Sequence, residues 1–378
     1  MLDALERLLD HLSSAIDARR QADVERRHRR ALAGEPVDRL PLVVACPLPP
    51  DARFKPLPYR EAFTDPEKML YNELVHAFDT SIALRDRLSD DLPLTVRANF
   101  GTVLIASMFG AKVEQHADNP PWVRHTETGI RPAAVANGGP PEFSCGLLPR
   151  VVETMEFYHA TLRRRPELDE QVHVVLPDLQ GPLDNLGLIC GSGLLLDLAA
   201  APREVETALA AMAEAQIAVA RRLAPLVRDG PPGYSHQHGV MIRGNVLLRV
   251  DSAVMISPQM YREQVAPHDE RVLSELGGGV HCCGRLAHIA DELLRLPSIA
   301  CLDLGQSELN DVDAIYAAAR ARNIAVTRIV PTEEELATGR IHERFPTGVN
   351  LVYRAGSFAE ATRLAARHAA KPPLPVAP

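Results

Sequence analysis

Apolar and polar positions along the chain fall into two alternating regimes. Short apolar runs rich in Val, Ile and Leu occur at Leu40–Cys46, Ser81–Leu84, His173–Leu176, Val246–Val250, Gly279–Cys283, Ile299–Leu304, Ile324–Val330 and Val349–Tyr353. Their length and β-branched content predict strands buried on both faces. Between them the apolar positions recur at helical spacing over Pro66–Phe78, Pro202–Val227, Pro258–Leu276, Leu286–Leu294, Asp311–Ala321 and Phe358–Ala370. Ser257-Pro258 and Ala201-Pro202 mark helix starts, with proline at the first helical position, where its missing N–H costs nothing. Eight strands separated by helices predict an α/β fold, a single (β/α)8 TIM barrel spanning 1–378. An open doubly wound sheet would alternate in the same way, but no Gly-rich dinucleotide fingerprint follows the first strand. Residues 1–38 read as a charged, amphipathic N-terminal helical extension. The Pro/Gly-rich stretch 118–149 reads as an insertion or lid, and 371–378 as a flexible tail.

Composition narrows the class. The chain has 378 residues, 46% of them hydrophobic, enough for one large core. Its six cysteines, three of them within 282–301, fit no disulfide framework, and a reduced, cytoplasmic protein is expected. The N-terminus lacks the apolar segment of a signal peptide, and no run of ~20 apolar residues is evident. A formal net charge of −8 argues against nucleic acid as a partner. The basic cluster Arg26 to Arg30 reads as a solvated helix face.

The densest candidate chemistry lies in GGGVHCCG, Gly277 to Gly284. Side chains two apart on a strand point the same way, so His281 and Cys283 form half of a zinc site, while the glycines leave room for a ligand. The alternative is a buried strand with a core histidine and inert thiols. In a barrel, chemistry gathers at the C-terminal strand ends. Those ends carry Cys46, Asp86, Asp178 with Gln180, Asp251, His281 with Cys283, Asp303 with Gln306, Arg328, and Tyr353 with Arg354. Recurrent carboxylates there point to a site, because an unpaired buried carboxylate is costly; otherwise they are salt-bridged or cap helices. Cys282 faces away from its neighbours and reads as packing, and Cys301 as core or ligand. His236 and His238, in PGYSHQHGV, form a second two-residue spacing that adds a ligand or an acid/base, or else a solvated turn. Trp122, the only tryptophan, lies in the insertion and either packs or lines a pocket rim.

Five stretches in order resemble the uroporphyrinogen decarboxylase superfamily, which includes corrinoid-dependent methyltransferases and is distantly similar to cobalamin-independent methionine synthase. They are GEPVDRLPLVV, FGTVLIASMFGAKVEQHADNPPWV, PDLQGPLDNLGLICG, VDSAVMISPQMYREQVAPHDERV and VHCCGRLAHIADELLRLPSIACLDLGQ, covering the chain from about Arg30 onward. The decarboxylases' arginine-rich MRQAGRY signature is absent: CPLPPDARFKPLPYR stands there, and Asp86 lies roughly where their central aspartate would, with Asp90 and Asp91 competing for that position. The zinc-dependent relatives use His-x-Cys-Gly and a later cysteine on the final strand. His281 and Cys283 match the first two ligands, but NLVYRAGS places Tyr353 and Arg354 at the third. Asp303, or Gln306 just beyond it, lies near where methionine synthases place a ligating glutamate.

The resemblance therefore implies methyl transfer between a corrinoid on a separate carrier protein and a small thiol or similar nucleophile. His281, Cys283 and Asp303 would hold Zn2+, with Asp178, Asp251 and His238 catalytic, and Asp86, His236, Gln306, Tyr353 and Arg354 binding substrate. No DxHxxG corrinoid motif is present, so any cobalamin would arrive on the carrier. The resemblance also implies a homodimer. The alternative activity is a carboxy-lyase acting on a tetrapyrrole or another multi-acid.

Overall fold

The computed structural model describes residues 2–124, 130–139 and 141–370. Its strands are β1 (Leu42–Ala45), β2 (Thr95–Arg97), β3 (Val113–Glu114), β4 (Trp122–Val123), β5 (His173–Val175), β6 (Tyr234–Gln237), β7 (Val240–Arg243), β8 (Val246–Arg249), β9 (Gly278–Cys282), β10 (Ile299–Leu304), β11 (Ala325–Ile329) and β12 (Val349–Arg354). Six of them form one parallel sheet in the order β1-β12-β11-β10-β9-β8, and β2 and β5 form a separate parallel pair. Helices intervene, as the alternating pattern requires, and their apolar faces join the strands in one core.

The expected eight-stranded closed barrel is not what the backbone forms: among the described strands the ladder is open between β1 and β2. The physical reason is local. Asp91 and Asp90 present carboxylates to the free edge of β1, taking the N–H of Leu42 (3.1 Å) and of Val44 (2.8 Å). Both acids are neutralised by buried arginines, Arg85 on Asp90 and Arg39 with Arg27 on Asp91. Side chains thus occupy the positions that a neighbouring strand would have filled. Ser81–Leu84, expected as a strand, is a 3₁₀ turn at Ile82–Leu84, and the strand comes later, at Thr95–Arg97.

The segment around PGYSHQHGV is an ordered antiparallel hairpin, β6–β7, with His238-Gly239 at its turn. It packs across β9, β10 and β11, with Met241 and Ile242 buried against Leu247, Cys301 and Ala325. Cys301 is therefore core. Cys282 is buried too, its thiol facing the carbonyl of Val250.

The N-terminal extension is two helices, Leu2–Ala15 and Ala18–Leu32, separated where Asp17 caps the second by accepting the N–H of Arg19. Leu5, Leu8, Leu9 and Leu12 recur at helical spacing and are fully buried in the main core. Within the 118–149 stretch the described residues include β4 and a helix at Pro132–Asn137, which packs on the long helix Pro202–Leu223. The 371–378 tail lies outside the described residues. One segment among them, Pro182–Ala200, is long and apolar enough to cross a membrane by length and composition, contrary to the sequence expectation. Half of it is buried inside the molecule, a glycine-flanked turn at Gly191–Gly193 divides it, and it carries the buried Asp184 and Asp197.

Candidate metal centre

Parallel register builds the site. Arg249 on β8 lies beside His281 on β9, His281 beside Asp303 on β10, and Asp303 beside Thr327 on β11. In-register residues of parallel strands point the same way, so these four make one polar row across the sheet. His281 Nδ1 donates to Asp303 Oδ1, and Thr327 Oγ1 donates to Asp303 Oδ2 at 2.7 Å. Burial alone would raise the Asp303 pKa, but the hydrogen bond from His281 and the charge of Arg328 hold it well below the usual carboxylate range. With Nδ1 carrying the proton, the Nε2 lone pair of His281 is free to face the C-terminal end of the sheet.

That lone pair meets two further donors. Cys283 Sγ is 3.3 Å from His281 Nε2, and Asp251 Oδ1 is 3.7 Å from it. The backbone N–H of Cys283 donates to the same Asp251 oxygen across 2.6 Å. Imidazole, thiol and carboxylate thus lie within 4.8 Å of one another. Such a borderline donor set suits zinc, and the carboxylate behind the ring is the usual partner of a ligating histidine. Burial, with Asp251, pushes the Cys283 thiol up to about 11, so it becomes a thiolate at neutral pH when a cation displaces its proton. Gly305 keeps the space beside these groups open: a Cβ there would lie 2.6 Å from Cys283 Sγ and 2.9 Å from His281 Cε1. Among the described residues the donor set, its hydrogen-bonded support and the open space all fit a zinc ion.

The structure redistributes the expected roles. Asp251, expected as catalytic, joins His281 and Cys283, whereas Asp303, expected as a ligand, binds the far nitrogen of the ring. Sequence could not separate them, because both follow apolar strands and only the lateral register decides which faces Nε2.

A second polar layer adjoins the first. Asp178 Oδ2 accepts from Arg249 Nε at 2.6 Å, and its Oδ1 accepts from the side chain of Gln180 at 2.8 Å. Burial would raise the Asp178 pKa, but the Arg249 charge holds it well below its ordinary value. Arg97 Nη1 lies 3.0 Å from His238 Nε2, and Arg249 also bonds that ring. Burial and those two cations keep His238 neutral, its lone pair engaged by guanidinium donors rather than free to take a proton. Arg328 has φ +63°, rare for a non-glycine, and its backbone N–H donates to Asn350 Oδ1 at 2.9 Å. Its side chain reaches the His238 carbonyl at 3.0 Å and stands 3.7 Å from Asp303.

Beside Asp251 opens a cavity of about 290 Å³, lined by Leu183, Leu188, Leu194, Met255, Trp122 and the acids Asp184 and Asp251. Trp122 therefore sits on a pocket wall. Asp184, on the helix Pro182–Cys190, accepts the N–H groups of Asp251 and Ser252, each at 2.8 Å, and so sets the position of the Asp251 carboxylate. Gly181 at that helix's start comes so close to β8 that a Cβ would lie 2.3 Å from the Arg249 carbonyl oxygen.

The residues expected to bind substrate have other partners. Asp86 is exposed in the turn after Ile82–Leu84, not at a strand end. The Gln306 side chain accepts the Gly284 N–H at 2.9 Å. Tyr353 donates to Glu360 at 2.7 Å, and exposed Arg354 pairs with Asp79 at 3.2 Å. His236 is buried against Asp229 and Glu25. Residues that sequence reading missed are Arg97, Arg249, Thr327 and Gly305. Arg249 had one legible signal, a charge inside an apolar strand run, which is tolerated only when paired.

The fold and site define an α/β protein with a candidate metal centre at the C-terminal edge of a parallel sheet. Among solved structures the chain is similar to a methyltransferase from Methanosarcina mazei, with 15% identity, 92% of this chain and 96% of that chain covered, and a TM-score of 0.61. At that identity the likeness is one of fold. No protein-family model matches the chain. No curated protein matches it.

Proposed function

We propose that this protein is a zinc-dependent methyltransferase of the uroporphyrinogen decarboxylase superfamily, a (β/α)8 barrel interrupted on both sides of the β2–β5 pair. It moves a methyl group between a corrinoid on a separate carrier protein and a small thiol or similar nucleophile. One observation carries the reading: His281 Nε2, Cys283 Sγ and an Asp251 oxygen converge within 4.8 Å. The carboxylate supplies a third donor, where the zinc-dependent relatives use a final-strand cysteine. The structural neighbour's description as a methyltransferase points the same way.

Bound there, zinc would stabilise a substrate thiolate and so supply a nucleophile at neutral pH. The chain's own residues do the rest. Asp303 and Thr327 keep Nε2 of His281 aimed at the site, and Asp184 aims Asp251. The cavity beside Asp251 takes an apolar body. Gly305 leaves the approach open. The carboxy-lyase alternative draws less support, because Asp86 is exposed and the buried guanidiniums Arg97 and Arg249 already face Asp178.

Zinc content and methyl transfer from methylcobalamin to small thiols, measured on wild type and on His281→Ala/Cys283→Ala, test the reading. Zinc-dependent turnover lost in the variant is the expected result. Wild type that holds no zinc through His281 and Cys283, or a variant with undiminished turnover, overturns it.

A further inference from the structure

At the opposite, N-terminal end of the strands lies a second convergence of metal-binding side chains. Glu25 comes from the helix Ala18–Leu32, His173 opens β5, and His236 sits on β6, three segments far apart in the chain. Their donor atoms also lie within 4.8 Å of one another. His173 Nε2 is 3.2 Å from Glu25 Oε1, and His236 Nε2 is 3.2 Å from Glu25 Oε2. His236 is 0% exposed. His236 Nε2 and Glu25 Oε2 meet as an ion pair that is not aligned as a hydrogen bond, and neither atom has a hydrogen-bond partner among the described residues.

The far side of the His236 ring is already prepared. Nδ1 lies 2.5 Å from Asp229 Oδ1, and the other Asp229 oxygen accepts the His236 backbone N–H at 2.9 Å. This is the carboxylate support that fixes the tautomer of a ligating histidine, and it repeats what Asp303 does for His281. The rings of His173 and His236 stack with centroids 4.8 Å apart and planes 21° from parallel, and both Nε2 atoms face Glu25, so binding one ion would turn the rings out of that stack. Glu25 and His173 are partly exposed, which leaves solvent a fourth position and an ion a way in.

We propose that Glu25, His173 and His236 form a second divalent transition-metal site, structural rather than catalytic, that staples the helix Ala18–Leu32 to β5 and β6. Two imidazoles and one carboxylate suit zinc or another borderline divalent ion.

The test uses the full chain carrying His281→Ala/Cys283→Ala, so that loss of the first site cannot be confused with loss of this one. After dialysis against micromolar zinc, about one zinc per chain should remain, and zinc should raise the melting temperature. Adding Glu25→Gln and His173→Asn should remove both effects. Cobalt in the same background should give a d–d spectrum without a thiolate charge-transfer band, a readout independent of how stable the ligand variants are. No bound zinc and no cobalt spectrum in a folded background variant, or zinc retained after both ligand changes, would show an ion pair only and overturn the proposal.

Discussion

Asp251 accepts the backbone N–H of Cys283 across 2.6 Å through the same oxygen that lies 3.7 Å from His281 Nε2. One carboxylate oxygen therefore fixes the course of the chain after β9 and completes the donor set. Asp251→Asn keeps that hydrogen-bond acceptor but loses the charge. Zinc affinity should fall at least tenfold with the fold unchanged, as read by competition with a chromophoric chelator and by circular dichroism.

Asp303 acts through His281 rather than on an ion. Asp303→Asn should lower zinc affinity about 10–100-fold, the usual cost of losing the partner of a ligating histidine. Thr327→Val, which leaves the His281–Asp303 bond in place, should cost less. Equal losses from the two would show that the row does not transmit through the ring.

Gly305→Ala would place a methyl group 2.6 Å from Cys283 Sγ, far inside contact distance. Either the thiol or the loop after β10 must move. Zinc binding and turnover should both drop, at a stability cost of about 1–3 kcal/mol, measured by urea unfolding.

Gly187 separates pocket chemistry from metal chemistry. A Cβ there meets Leu194 and Ser252 only at ordinary contact, 3.9 Å, and the residue lies within the helix Pro182–Cys190 on the wall of the 290 Å³ cavity. Gly187→Leu should fill the cavity and raise KM while zinc content stays at the wild-type value.

Asp269 gives a pH dependence from outside both donor sets. Its carboxyl is fully buried, accepts from Tyr261 at 2.8 Å, and is pushed up to about 7, chiefly by burial. The folded state thus holds a proton that the unfolded chain releases near pH 4. This contribution is intact below about pH 4 and is lost as pH rises towards 7, with a slope of at most about 1.4 kcal/mol per pH unit. Asp269→Asn should flatten that part of the stability profile. An unchanged slope in denaturant titrations at stepped pH would refute the assignment.

Local pattern reached far into this protein. The strands that carry His281, Asp303 and Tyr353 were legible because they are short, apolar and buried on both faces. The pairing of His281 with Cys283 followed from the two-residue period of a strand. Pattern failed at Ser81–Leu84, where four apolar residues are as compatible with a buried 3₁₀ turn as with a strand. It also failed at Thr95–Arg97, whose charge hides a buried position, with the Arg97 guanidinium facing Asp178 and its backbone N–H donating to Glu73.

The amino-acid sequence by itself determined the alternating architecture, the N-terminal amphipathic helices, and the histidine and thiol at one strand end, because each rests on residues within a few positions of one another. Only the tertiary structure decided that Asp251 faces Nε2 while Asp303 takes Nδ1, that Asp90 and Asp91 occupy the edge of β1, and that Glu25 meets His173 and His236. Those are contacts between residues roughly 20 to 210 positions apart. They depend on lateral register and on which buried charges must be paired, and neither is written in local periodicity.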